Sequence, residues 1–356
     1  MNDGINVLSL FDGISCGKIA LDRVGVKANR YFASEIDEDA IAISKKNHND
    51  IIRLGDVTKW REWDLPKIDL IIAGSPCQGF SRAGKMLNFN DERSKLFFEF
   101  VDILNNIKAK NHDVLFMLEN VKMKTEWRNT ITNYVGVEPI EINSKLVSAQ
   151  NRLRAYWTNI PGVKKPEDKG VKLVDILEEQ VDVNYINHHG VMLDSSLSEA
   201  SMNLVGNVDG EVRISQATKK GYIIAEDGDG VNLSFPTSKT RRGRVIKQKS
   251  STLDQQCEVC VYHDNKIRRL TVRELEKLQT LPYGYTDGFS SVAAKKALGN
   301  KGNYYEVIKK WVGDLMPRCE GVAEKKTLKK SKKNGDVGEE TKKTVEYERK
   351  NKKKRN

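Results

Sequence analysis

Within this chain of 356 residues, the segment best suited to covalent chemistry is Gly74-Ser75-Pro76-Cys77-Gln78-Gly79-Phe80-Ser81. It follows the apolar run 68–73, so Cys77 sits just beyond a predicted strand, on a loop containing Pro and Gly. That placement favours exposure and a lowered thiol pKa, as a nucleophile needs; burial as a small hydrophobe is the ordinary alternative. Leu118-Glu119-Asn120-Val121 ends another apolar run, and a carboxyl there would have a raised pKa and could act as an acid. Gln150-Asn151-Arg152-Leu153-Arg154 carries two arginines at alternate positions, which on a strand face the same side. Phe11-Asp12-Gly13-Ile14-Ser15-Cys16-Gly17 is a glycine-bearing turn that lets a ligand approach the backbone. Glu35, 18 residues after Gly17, stands where open α/β sheets place an acid on ribose hydroxyls. The phosphate fingerprint G-x-G-x-x-G is absent, which favours a nucleoside without a pyrophosphate, and Asp56 is placed to accept from an adenine amino group.

Other chemistries fit the same residues less well. Gly13-Ile14-Ser15-Cys16-Gly17 also satisfies the G-x-S-x-G elbow of hydrolases, but only 12 residues precede it and no Asp-then-His order follows. Cys257-Glu258-Val259-Cys260 with His263 lacks the second ligand pair of a structural zinc site, so no metal is expected, and His188-His189 reads as loop polarity. A nicotinamide-dependent oxidoreductase would use the first turn and Glu35 but leave Cys77, Glu119 and both arginines idle.

The elements that must carry these residues alternate between strand and helix. Short β-like runs at 6–11, 30–34, 51–54, 68–73 and 114–118 predict strands, with helical patterns at 17–24 and after Asp37, a helix N-cap. The runs at 68–73 and 114–118 are almost wholly apolar, as strands covered on both faces are. The pattern predicts a doubly wound, Rossmann-like, mostly parallel α/β sheet holding its ligands at the carboxyl ends of the strands. From about 164 to 265 Gly-Asp and Gly-Asn pairs multiply, giving a smaller strand- and turn-rich domain, and helices return at 271–278 and 304–315. No uninterrupted apolar stretch approaches the roughly 18 residues of a membrane span, and no secretory leader precedes the first strand. Five cysteines make no disulfide framework and read as reduced thiols inside a cell.

Taken in order, these motifs resemble the C5-cytosine DNA methyltransferases. The resemblance rests on Phe11-x-Gly13, Glu35, Asp56, Pro76-Cys77-Gln78, Glu119-Asn120-Val121, Gln150-x-Arg152-x-Arg154, Arg268-x-Leu270-Thr271-x-x-Glu274 and Gly299-Asn300. It covers residues 5 to 160 and 266 to 316, leaving 165–265 where the family keeps its target-recognition domain. The wording of 74–81 and 148–152 is most similar to phage-borne members. Ser15 stands where many members have a second Gly, Ser75 where Phe or Pro is usual, and the segment after Asn300 lacks the common small-Val-x-Pro continuation.

The resemblance implies S-adenosyl-L-methionine as cofactor and cytosine in double-stranded DNA as substrate. Cys77 would add to C6 of the base, with Gln78 beside it; Glu119 would stabilise the proton at N3, and Arg154 would hold O2 and orient Glu119, with Arg152 structural or on phosphate. Phe11 would stack on adenine, Glu35 bind the ribose and Asp56 meet the adenine amino group. Asp12, Gly13, Ser15, Gly17, Ile36, Val57, Pro76 and Asn300 complete the expected cofactor set. A base inside a stacked duplex is out of reach, so it must be flipped out. Ser81, Lys85 and Arg93 are the expected phosphate contacts of the Cys77 loop, and Arg241, Arg242 and Arg244, with Lys239, those of the small domain. A tRNA cytosine methyltransferase and a catalytically silent binder are the alternatives within the fold.

The net charge is +11, of which residues 321–356 carry +8 through 14 Lys and Arg against 6 Asp and Glu. With Tyr347 as its sole aromatic, this stretch reads as a disordered basic tail, whether solubilising or a sequence-independent tether for nucleic acid. The expected setting is a monomer in the cytoplasm of a bacterial or phage-infected cell, within restriction–modification or related DNA methylation, or in the nucleus if the host is eukaryotic. The expected division is 1–163 for catalysis and cofactor, 164–265 for target recognition, 266–320 returning to the catalytic domain, and 321–356 as tail.

Overall fold

A computed structural model of the protein describes residues 4–76, 92–253 and 259–300. Cys77, Gln78, Ser81, Lys85, Cys257 and the whole of 301–356 lie outside the described residues, as do the side chains of Arg93 and Asn300.

Seven strands build the main sheet: β1 (Ile5–Leu10), β2 (Ala28–Ser34), β3 (Ile52–Gly55), β4 (Leu70–Gly74), β5 (Leu115–Val121), β6 (Ile140–Asn143) and β7 (Leu153–Thr158). Their order is β3-β2-β1-β4-β5-β7-β6, parallel through β5, with β7 antiparallel to both β5 and β6. This is the doubly wound arrangement expected from the alternation of runs. Helices α1 (Cys16–Arg23), α2 (Glu38–Asn47), α3 (Glu92–Lys110) and α4 (Thr125–Val135) connect the strands. Asp37 caps α2, its side chain accepting from the Ala40 amide, as its place before Glu38 and Asp39 predicts.

The apolar runs of β1, β4 and β5 are buried because helices cover both faces. Leu8, Leu10, Ile71, Ala73, Phe116 and Leu118 meet Phe97, Phe100 and Leu104 of α3 in one core cluster. Each fully buried Leu, Ile or Phe there contributes about 1.5–3 kcal/mol, which keeps the central strands in a fixed register. The strand ends, and whatever they carry, inherit that rigidity.

Beyond the main sheet come β8 (Tyr185–His188), β9 (Val191–Asp194), a short helix α5 (Glu199–Met202), β10 (Val205–Val208), β11 (Glu211–Ser215), β12 (Tyr222–Ala225), β13 (Asp229–Asn232), β14 (Val245–Ile246), β15 (Val259–His263) and β16 (Lys266–Arg269). They form a three-stranded antiparallel sheet, β10-β11-β12, and a six-stranded sheet, β14-β13-β15-β16-β9-β8. β16, expected on the catalytic side of a boundary at 265, is hydrogen-bonded between β15 and β9, so by strand pairing the small sheets run to Arg269. The helices α6 (Val272–Leu278) and α7 (Ser291–Asn300) follow. Thr271 and Glu274 close a capping box at the start of α6. Glu274 also takes a two-pronged ion pair from buried Arg268, at 2.8 and 2.7 Å, which ties α6 to β16.

Candidate active site

Strand register brings the sequence motifs to one edge of the main sheet. Leu10 pairs with Ser34 on one side and Ala73 on the other, Ser34 pairs with Gly55, and Gly74 pairs with Glu119. Phe11, Glu35, Asp56 and Ser75 therefore leave neighbouring strands at one level, beside Glu119 near the end of β5, at the carboxyl ends of the parallel strands, where an open α/β sheet holds ligands.

The turn after β1 is built from left-handed backbone at Phe11, Gly13 and Ser15, with φ of 57°, 62° and 61°. The last explains why a glycine serves well at position 15: Ser15 occupies a conformation that a side chain disfavours. Its hydroxyl is committed in return, donating to the Asp12 carboxylate and sharing a hydrogen bond with Ser44. Asp12 also accepts from Tyr31 Oη at 3.0 Å. Burial pushes the Asp12 carboxyl above its ordinary value, against the hydrogen bonds that favour its charged form, and burial together with the Asp12 charge pushes the Tyr31 phenol up. At Gly17 an added Cβ would lie 2.8 Å from Tyr31 Oη and 3.1 Å from Ile72, so glycine is required for α1 to approach the sheet. Asp12, Ser15 and Gly17 were expected to meet the cofactor; their side positions face inward and shape the turn.

Glu35 is oriented by three amides: Gly13 at 2.7 Å on Oε2, and Ile36 and Asp37 at 2.9 and 3.0 Å on Oε1. Ile36 beside it is 68% exposed, an apolar side chain left uncovered at the strand end, and Phe11 packs half-buried against the core. Asp56 caps the following 3-10 turn through Oδ1 to the Thr58 amide, and Val57 belongs to the core. Partly uncovered apolar side chains at Phe11 and Ile36, with the fixed carboxylate of Glu35 and Asp56 at adjacent strand ends, suit a nucleoside: ring faces want apolar cover, and ribose hydroxyls want an acceptor.

At the neighbouring strand ends, Glu119 is 7% exposed and forms an ion pair with Arg154, Nε to Oε1 at 2.9 Å, across β5 and β7. Arg154 also donates from Nη1 to the Leu153 carbonyl at 2.8 Å. Glu119 pairs with Tyr156, and Arg154 and Tyr156, two apart on β7, share one side of the strand, while Arg152 lies just before β7 begins at Leu153. Burial pushes the Tyr156 phenol up, with the Glu119 charge adding and the two arginines opposing. Arg152 is 4% exposed, which fits the structural half of its expected role and not the phosphate half. Gln150 is completely buried, and among the described residues neither atom of its side-chain amide has a hydrogen-bond partner.

The next residue, Asn120, donates from Nδ2 to Ser75 Oγ at 2.9 Å, and its Oδ1 accepts from the Val121 amide. Ser75 and Asn120 are both buried, so this bond ties the strand bearing Glu119 to the segment that leads through half-buried Pro76 to Cys77.

Among the basic residues, Arg244 corrects the expectation of a DNA contact. It is 1% exposed and spends its guanidinium on the carbonyls of Asn232, Ser234 and Phe235. A charge buried among carbonyls holds a loop together and is out of reach of a phosphate. Arg242 and Lys239 are exposed and Arg241 half-exposed. Cys260 is buried and His263 pairs with Asp227; among the described residues no group of three or more His, Cys, Asp and Glu is placed to hold a metal ion.

Two groups at the site carry no local sequence signal. Tyr285, buried, donates from Oη to the Ile14 carbonyl at 2.6 Å, gripping the turn after β1 from 271 positions away. Lys296 of α7 bridges Asp37 and Asp39, just past Glu35, at 3.1 and 3.0 Å. Only spacing along a folded chain creates these partners, so periodicity and motif could not have found them.

Comparison with known proteins places this geometry. The model of the family described as C-5 cytosine-specific DNA methylase matches residues 5–137 and 143–301. The chain is 30% identical over 346 residues to Type II methyltransferase M1.ScrFI of Lactococcus lactis subsp. cremoris, covering 92% of this chain and 79% of that protein. It is 31% identical over 329 residues to Type II methyltransferase M.HpaII of Haemophilus parainfluenzae, covering 84% and 86%. The fold is that of the Entamoeba histolytica methyltransferase EhMeth (TM-score 0.59, 14% identity, 88% of this chain and 98% of that one) and of S. pombe Dnmt2 (TM-score 0.57, 17% identity, 88% and 99%).

Proposed function

Because the chain belongs to the C-5 cytosine-specific DNA methylase family, we propose that it methylates C5 of a flipped-out cytosine in duplex DNA through a covalent bond between Cys77 and C6. The observation that carries this reading is the Glu119–Arg154 pair at the strand end beside the Ser75–Asn120 bond, which leads the chain to Cys77.

Cytosine C5 is a poor nucleophile until the ring is made electron-rich. The Cys77 thiolate adds to C6, and the electron pair of the C5–C6 double bond moves toward C5 and the N3 side of the ring. Glu119 holds the proton at N3 that offsets this charge, and Arg154, fixed against Glu119, faces O2. The cofactor S-adenosylmethionine would supply, when bound, an electrophilic methyl group on a sulfonium whose S–CH3 bond breaks with its electron pair left on sulfur, so that the leaving group is a neutral thioether. Phe11 and Ile36 would cover its adenine, Glu35 take its ribose hydroxyls, and Asp56 meet its amino group. Once C5 bears the methyl group, loss of the C5 proton to a base expels the Cys77 thiolate and restores the aromatic ring. The Type II designation of the relatives supports a modification role in a restriction–modification system, and the division into catalytic and recognition domains at about 164 belongs to the same proposal.

The test uses labelled S-adenosylmethionine with duplex DNA and with tRNA, and 5-fluorocytosine duplexes to trap the adduct. Label in duplex DNA and a covalent complex that disappears in Cys77→Ala are expected. Label confined to tRNA, or no adduct with cofactor present, would overturn the proposal.

A further inference from the structure

We propose that residues 233–244 form a preformed reading loop on duplex DNA, in which the exposed ring of Phe235 determines sequence specificity and buried Arg244 is its internal anchor. The inference rests on the proposed DNA methylation and deepens it by naming the residue that reads the site.

The loop joins β13 to β14, whose pairing of Val231 with Val245 holds its two ends together. Inside that frame Arg244 donates from Nη1 to the carbonyls of Asn232 and Ser234 at 3.1 and 3.0 Å, and from Nη2 to that of Phe235 at 2.9 Å. The Asn232 amide donates back to the Arg244 carbonyl at 2.7 Å. These bonds hold Phe235 at φ 54°, a left-handed backbone that a bulky aromatic adopts only when its surroundings impose it. The imposed conformation leaves the ring 49% exposed instead of folding it into the adjacent core. Arg241 lies over the ring, 5.2 Å from its centroid, and is steadied by a 2.9 Å bond from Nη2 to Asn232 Oδ1. An aromatic kept out of a core and fixed beside a guanidinium is built to touch something.

Charge points to the occupant. Neither this loop nor the turn 216–221 contains an acidic residue, and the two are knitted together: the Ala217 amide donates to the Arg241 carbonyl at 2.8 Å, and Arg242 Nε donates to the Ala217 carbonyl at 2.8 Å. Lys219, Lys220, Lys239 and Arg242 are all exposed on this unit. Cations around an apolar centre match a duplex, where phosphates flank base edges: the charges position, and the ring reads an apolar edge such as a thymine methyl. The base of the loop is continuous with the active site. Asn232 Nδ2 donates to Ser251 Oγ at 2.9 Å, and Thr252 Oγ1 donates to the carbonyl of Asn151, next to Arg152.

The test methylates a randomised duplex library with the wild type, Phe235→Ala, Phe235→Leu and the double variant Lys219→Ala/Lys220→Ala, and sequences the products after bisulfite treatment. Phe235→Ala is expected to lose at least about fivefold of the discrimination at one base-pair position, with Phe235→Leu between it and the wild type. The double lysine variant is expected to methylate all sequences less well at raised salt with their ranking unchanged. A merely structural Phe235 would lower overall rate and leave the ranking of sequences intact, and that result overturns the inference. A wild type that methylates no duplex overturns the proposed function and this inference together, whereas an active wild type with an unchanged Phe235→Ala profile overturns this inference alone.

Discussion

Glu119 and Arg154 show how one ion pair sets both chemistry and stability. Both side chains are nearly buried, and each offsets the other's charge across 2.9 Å. Removing the arginine strands a buried carboxylate and costs about 3–5 kcal/mol, which confuses lost activity with lost fold. Glu119→Gln is the cleaner change, because it keeps volume and a hydrogen-bonding group while removing the carboxyl that holds the N3 proton. It is expected to lower the rate of methyl transfer by about 10²–10⁴-fold with duplex affinity maintained, read by single-turnover kinetics beside a binding titration. The role of Asn120 was half legible at this scale: the Glu-Asn-Val motif named the residue, but its bond to Ser75 required a partner 45 positions away. That bond also gives a reason for serine at position 75, where the family usually has Phe or Pro.

Among the elements, the turn after β1 is held from two directions. Tyr31 and Ser15 fix Asp12 from within the sheet, and Tyr285, from the stretch between α6 and α7, takes the Ile14 carbonyl from outside. The second grip is a single neutral hydrogen bond to the turn proposed to hold the cofactor. Tyr285→Phe is expected to cost about 1–3 kcal/mol of stability and to weaken S-adenosylmethionine binding several-fold while leaving the rate at saturating cofactor close to that of the wild type. Calorimetric binding and a KM-against-kcat comparison check it; a fall in kcat with unchanged cofactor affinity would place Tyr285 elsewhere in the mechanism. The central strands β4 and β5 were readable because burial on both faces writes itself as uninterrupted apolar runs. β6 and β7 were not, since Ile140–Asn143 and Leu153–Thr158 mix polar and apolar residues and their pairing depends on a chain reversal.

For the whole molecule, charge is divided by place. The chain carries +11, but +8 of it belongs to residues 321–356, so the first 320 residues are nearly balanced. Deleting 321–356 is expected to flatten the salt dependence of duplex binding and to leave the methylated site unchanged, as binding isotherms across a salt series and bisulfite sequencing of the products would show. A changed site in the truncated chain would contradict that division. The sequence by itself determined the order of motifs and the doubly wound sheet, and it singled out Cys77, Glu119 and Arg154 as the residues of the proposed chemistry, because reactive residue types at strand ends and two-sided burial both leave local marks. Tertiary structure alone decided which cations face solvent. Arg241, Arg242 and Arg244 are indistinguishable as a basic cluster, yet Arg244 is buried against three carbonyls while Phe235, unremarked in the sequence, is pushed outward. The physical reason is that burial and backbone strain are properties of where the chain returns, and nothing in a run of neighbours encodes them.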